Sequence, residues 1–252
     1  MKAWETIDSA DTPEGRLELR RRGGDVGDVG DTAAGATDTE FVITIGGRVL
    51  MNSALHLTEA AAAAAACRPL AVQTQRPRVL LGGLGMGYTL RAALDNLPRA
   101  ARVVVAEIDP TIVRWCRGPL APLTHRAVED PRVSVMVHDV AAVIAQAARA
   151  GGMARFDAIV LDLYEGPRGQ GDDPFYGRSA LERTRAALNP GGIFSVWSED
   201  ADLAFEKRLR QAGFQVEVTR PGKGGPRHVV YVARLAAAAS TGSGSALRRP
   251  DR

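Results

Sequence analysis

Apolar positions along this chain follow two regimes. Residues 1–54 carry short alternating runs, Leu17 and Leu19 in GRLELRRRG and Phe41, Ile43 and Ile45 in EFVITIGGRVLMNS. A period of two puts alternate side chains on one face, so both runs are predicted as β-strands. Between them, GDVGDVGDTAAGATDT is rich in Gly, Asp and Thr and reads as a flexible insert over residues 23–39. From Ser53 to Ala71 the pattern is helical and dominated by alanine.

A regular alternation then begins. Arg78–Gly82 reads as a buried strand, and the helix after it repeats Leu90, Leu94 and Leu97 before Pro98 closes it. RVVVAEID, RVSVMVHD, FDAIVLDL and IFSVWS are further strands, separated by helical segments that open at Pro110, Asp139 and SALERTRAAL. NPGG stops the helix before IFSVWS, and Gly213 stops ADLAFEKRLRQA. FQVEVT and HVVYVAR follow with no helix between them, so they are antiparallel neighbours. The expected fold is α/β: a doubly wound, seven-stranded, mostly parallel sheet with a small β-rich leader. The leader spans 1–54 and the Rossmann-like domain 55–234. The tail, 235–252, is of low complexity and expected to be disordered. Seven strands closing in a hairpin resemble the variant of this fold that binds S-adenosylmethionine.

Composition narrows the function classes. The net charge of +3 owes +2 to the tail, with three arginines and one aspartate from Leu235 to Arg252, and no basic stripe interleaved with aromatics is visible. Nucleic acid is therefore not an expected partner. No apolar run approaches the ~20 residues of a membrane span, and the polar start MKAWETIDSA has no apolar signal core, so a cytoplasmic protein is expected. Cys67 and Cys116 are far apart, without metal spacing, and read as buried free thiols. No metal is expected.

The candidate chemistry lies at three successive strand ends. In GGLGMGY, Gly83, Gly85 and Gly87 let the backbone turn sharply and approach a ligand. Glu107, twenty residues past Gly87, ends the second strand, where a carboxylate can accept from both hydroxyls of a ribose. Asp139 ends the third and can accept from an adenine amine, cap the next helix, or do both. Asp109, just before Pro110, reads as a cap. No GK[ST] follows the glycines, so a neutral or cationic adenosine derivative, such as a sulfonium, fits better than a phosphate.

The stretches LLGGLGMGYTLRAAL, VVVAEIDPTIV, DPRVSVMVHDVAAVI and FDAIVLDLYEGP, with the leader, resemble the spermidine synthase family over roughly Val42 to Arg234. These are polyamine aminopropyltransferases on the class I methyltransferase fold. The resemblance implies ribose binding by Glu107, adenine contact by Asp139, and Asp162 as catalytic base and amine ligand, with Glu165 as the second acid of that segment. It implies decarboxylated S-adenosylmethionine as co-substrate, a small amine as acceptor, and a homodimer. Tyr164, Asp172, Asp173 and Tyr176 belong to YEGPRGQGDDPFYG, a polar loop placed to close over the site. His56 and Glu59 stand in ALHLTEA, where the family has a lid with a Tyr and an acid.

The chain also departs from that family. Its glycine loop usually reads GGGDGG, with an aspartate gripping the donor's amine; here Leu84, Gly85 and Met86 occupy the place. The last hairpin reads RPGKGGPRH, whose Arg220, Lys223, Arg227 and His228 would suit a carboxylate or phosphate, or simply form a solvated tip. Three functions therefore stand: aminopropyl transfer, methyl or alkyl transfer from intact S-adenosylmethionine to a small and possibly anionic molecule, and non-catalytic nucleoside binding.

Overall fold

The computed structural model of the chain describes residues 3–23, 39–54, 57–163, 166–167, 173–221 and 228–237. The leader is an antiparallel meander of β1 (Glu5–Thr12), β2 (Gly15–Arg22), β3 (Glu40–Ile45) and β4 (Arg48–Asn52), hydrogen-bonded in that order. Leu17, Leu19, Phe41, Ile43 and Ile45 form its buried face, as their alternation predicts. Strand β1 is not foreshadowed in the sequence. ETIDSADT holds one large apolar residue, Ile7, and its order comes from the ladder to β2 rather than from burial. A register shift between Thr6 and Asp8 re-aims Asp8. Its carboxylate accepts from Trp115 Nε1 at 2.7 Å and from Arg114 at 3.0 Å, fastening the meander to the main domain.

Helix α1 (Leu57–Gln73) joins the leader to the second sheet. Ala62, Ala63 and Ala66 are fully buried, and such small side chains let the helix lie close on the strands. The second sheet comprises β5 (Arg78–Gly82), β6 (Arg102–Glu107), β7 (Val133–Val137), β8 (Phe156–Leu161), β9 (Leu188–Ser198), β10 (Gln215–Thr219) and β11 (Val229–Arg234). Its order is β10-β11-β9-β8-β5-β6-β7. The β5–β9 pairings are parallel, whereas β11 is antiparallel to both β9 and β10, as expected for the final hairpin.

Strand side chains serve two cores. Val79, Leu81, Val103, Val105, Ala158 and Val160 face α1, α2 (Tyr88–Asp95) and α3 (Pro110–Arg117) together with the leader's buried face. Leu80, Ile159, Leu161, Phe194 and Val196 face α4 (Val140–Ala150), α5 (Arg178–Ala187) and α6 (Leu203–Gln211). NPGG does more than stop a helix. Strand β9 already begins at Leu188, which pairs with Phe156 before a register shift, and Gly191 at φ +78 makes the kink. The insert's residues 24–38 and the tail from 238 onward lie outside the described residues.

Candidate active site

The glycine turn follows β5 directly. Gly83, Gly85 and Gly87 have φ of +87, +52 and +88, a region that favours glycine. At Gly83 space forbids a side chain as well, because a Cβ there would lie 2.5 Å from the carbonyl oxygen of Asp162. The glycine turn and the end of β8 therefore touch backbone to backbone. Leu84 and Met86, at the family's acidic position, are each 4% exposed and point into the core. Cys116 donates its thiol to the Gly85 carbonyl at 3.2 Å, and burial pushes its pKa up to about 12, keeping the proton that this bond needs. Both Cys67 and Cys116 are buried free thiols.

Glu107 ends β6 at 7% exposure. One carboxylate oxygen accepts from Leu84 N–H at 2.8 Å and the other from Asp109 N–H at 2.9 Å. Each oxygen retains a lone pair for a further donor. Burial raises its pKa, and the backbone bonds from Asp109 and Leu84 oppose that rise. Asp109 caps α3 through Thr111 N–H at 2.7 Å, the role its place before Pro110 predicts. Asp139 is exposed and caps α4 through Ala141 N–H at 2.8 Å. Ile108, next to Glu107 in the chain, is 72% exposed, and Val137, the cross-strand partner of Glu107, is 54% exposed. Two bare aliphatic side chains at a polar strand edge are a surface that a flat base would cover. Sequence reasoning missed them, and the only signal was an apolar residue between the acids of EID.

On the other side of the turn, Asp162 follows β8 and its N–H bonds the Gly82 carbonyl at 3.0 Å. The Thr89 hydroxyl, on the first turn of α2, donates to its carboxylate. Burial pushes the Asp162 pKa above the usual carboxylate value, and the Thr89 bond partly offsets this. The pairing of Leu161 with Val196 makes Trp197 the cross-strand neighbour of Asp162. Trp197 Nε1 donates to Thr58 Oγ1 at 3.2 Å, and the same hydroxyl is 3.0 Å from His228 Nδ1. The Trp197 and His228 rings meet edge-on at 4.9 Å. Asp162, Trp197 and His228 thus stand in one row at the ends of three adjacent strands, braced beneath by Thr89 and Thr58.

Tyr176 is buried with its ring edge on Phe205 at 5.4 Å, and burial with the charges of Asp173 and Asp162 raises its pKa. Asp173 accepts from Phe175 and Tyr176 N–H, both at 2.8 Å, so it shapes the turn before α5. His56, Tyr164, Glu165, Asp172, Lys223 and Arg227 lie outside the described residues, as does the side chain of Glu59; Arg220 is exposed. Among the described residues no group of three or more His, Cys, Asp and Glu side chains is arranged for a metal, and no helix is long and apolar enough to cross a membrane.

This architecture has known counterparts. A family model described as the spermine/spermidine synthase domain matches residues 63–215. The polyamine aminopropyltransferase of Aeropyrum pernix is 30% identical over 117 residues, which cover 46% of this chain and 36% of that protein. Polyamine aminopropyltransferase 1 of Hyperthermus butylicus is 33% identical over 141 residues, covering 52% of this chain and 44% of that protein. The chain thus spans less than half the length of these curated relatives. Among solved structures, spermidine synthase from Thermotoga maritima superposes with a TM-score of 0.63 at 18% identity, over 92% of this chain and 74% of that one. Human methyltransferase-like protein 13, solved with SAH, gives 0.55 at 23% identity, over 71% of this chain and 82% of that one. Likeness at such identities establishes the doubly wound fold.

Proposed function

Because the chain belongs to the spermine/spermidine synthase family, we propose that it transfers an aminopropyl group from decarboxylated S-adenosylmethionine to a small amine, with Asp162 as base. The observation that carries the reading is the backbone contact at Gly83, which sets a half-buried carboxylate directly against a nucleoside-type glycine turn. Glu107 would take the ribose hydroxyls, and Ile108 and Val137 would cover the adenine. The acceptor nitrogen attacks the carbon bound to the sulfonium. The C–N bond forms as the C–S bond breaks, and the electron pair leaves on sulfur as a neutral thioether. The proton lost from nitrogen goes to Asp162, whose raised pKa makes it a stronger base than an exposed aspartate. Trp197 and His228 extend the acceptor surface from that carboxylate. In-line placement of nitrogen, carbon and sulfur supplies much of the rate.

A second reading, alkyl transfer from intact S-adenosylmethionine, is favoured by one observation. The turn carries no acid, Leu84 and Met86 are buried, and α2, with Gly87 at its N-cap, has neither a side-chain cap nor an acid in its first turn. Such a terminus suits the carboxylate that the decarboxylated donor lacks. Calorimetry with both donors, paired with chromatography of products from putrescine and spermidine, separates the two. Preference for the decarboxylated donor and an aminopropylated product support the first reading. Preference for intact donor with no polyamine product refutes it. The family resemblance further implies a homodimer, which sedimentation would measure.

A further inference from the structure

The outer face of the leader, turned away from the core, holds a groove of about 430 Å³. Trp4, Arg20, Arg22, Val42, Thr44 and Val49 line much of it. Among the described residues, four buried side-chain nitrogen or oxygen atoms lack a hydrogen-bond partner: Arg20 Nε, Thr44 Oγ1, Arg91 Nε and Arg155 Nε. Two of the four converge here. Thr44 is 4% exposed on the outer side of β3, where a valine would fill the same space without an orphaned hydroxyl. Arg20 pairs across the strands with Val42, and Thr44 is the next residue of β3 on that face, so the two polar side chains are diagonal neighbours within reach of one ligand group.

The charges here are divided unequally. Arg22 is committed: its Nε donates to Glu40 at 3.1 Å and its guanidinium stacks on Trp4 at 4.7 Å. No carboxylate among the described residues pairs with Arg20: Glu40, which also lines the groove, is taken by Arg22, and Glu18, cross-strand from Thr44 on the same face, lies 4.0 Å from Arg16. Buried donors of this kind are rare in folded proteins and each calls for a partner. The donors are a guanidinium and a hydroxyl, which match the two oxygens of a carboxylate. The walls, Trp4, Val42 and the 56% exposed Val49, match a flat apolar body.

We propose that this groove is a second small-molecule site, taking an organic carboxylate whose oxygens bridge Arg20 and Thr44 and whose apolar body lies against Trp4, Val42 and Val49. It is distinct from the nucleoside turn. Strand β4 separates them, with Met51 on the inner side against Gly85 and Val49 on the outer side. The proposal does not depend on the transferase reading.

The test is calorimetry of the full chain with benzoate as probe and benzyl alcohol as the uncharged control. Saturable benzoate binding is expected, with no heat from benzyl alcohol and no competition from S-adenosylhomocysteine. Arg20→Gln should weaken benzoate about tenfold or more through loss of the charged hydrogen bonds. Thr44→Val should weaken it severalfold without lowering the melting temperature, since that hydroxyl has no partner to lose and its removal relieves an unpaired buried group. No saturable heat up to ~10 mM benzoate, or unchanged affinity in both variants, overturns the site. A dimer that Arg20→Gln dissociates would put a second copy of the chain over the groove and overturn it equally.

Discussion

Replacing Gly83 with alanine tests the contact on which the active-site geometry turns. Its φ of +87 disfavours any L side chain by ~1–2 kcal/mol. The added Cβ would also sit 2.5 Å from the Asp162 carbonyl oxygen, a backbone atom with no rotamer in which to escape. Overpacking of this kind costs ~1–3 kcal/mol, so the sum is about 2–5 kcal/mol. For a chain of this length that lowers the melting temperature by about 4–20 °C. Gly47→Ala is the matched control. Its φ is +79 and nothing lies within 4 Å of the new Cβ, leaving only the backbone strain. Differential scanning calorimetry of the pair isolates the contact. Because Asp162 must also retreat by about 0.5–1 Å, aminopropyl transfer should fall about a hundredfold in Gly83→Ala and hold in Gly47→Ala. Equal melting loss and equal turnover in the two variants would refute the coupling of glycine turn and base.

Asp162→Asn should abolish transfer yet leave S-adenosylhomocysteine binding in calorimetry nearly unchanged. Because burial raises the Asp162 pKa above 3.8, wild-type stability falls as pH rises through that raised value; the asparagine variant lacks this limb and should melt higher at neutral pH. Asp8→Ala orphans the indole N–H of Trp115, 1% exposed, at ~1–3 kcal/mol, read by urea unfolding. The Trp115 and Arg114 hydrogen bonds hold the Asp8 pKa below 3.8, so its contribution is complete above that value and lost as pH falls through the lowered one. Ile108→Asp should weaken nucleoside binding in calorimetry with little shift of the melting temperature, since Ile108 is 72% exposed.

The main sheet was legible because its central strands β5, β8 and β9 are largely buried and read as continuous apolar runs. Arg78–Gly82 and the helix stop at Gly213, φ +90, need nothing beyond local sequence. Strand β1 was not legible, since a polar edge strand is held by its partner's backbone and leaves no alternation to read. In the site, Glu107 and Asp162 declare themselves as acids at strand ends. Thr89, Thr58 and Trp197 do not, because their roles come from the packing of α1 and α2 across the sheet, which no local pattern encodes. NPGG carried a helix stop in its sequence, but its extension into β9 depends on the distant partner Phe156.

The two backbone bonds to Glu107 bear on how a nucleoside would be received. A free glutamate carboxylate samples several rotamers and must be frozen when a ribose arrives, an entropic cost of as much as ~1.5–2 kcal/mol. Here that ordering is already met in folding, because Leu84 and Asp109 hold one oxygen each. The ligand meets a carboxylate already aimed, and association becomes the filling of a finished mould rather than the shaping of a soft one. The heat capacity of binding should then report only the apolar surfaces that meet, the ligand's and that of Ile108 and Val137, with little contribution from settling of the chain.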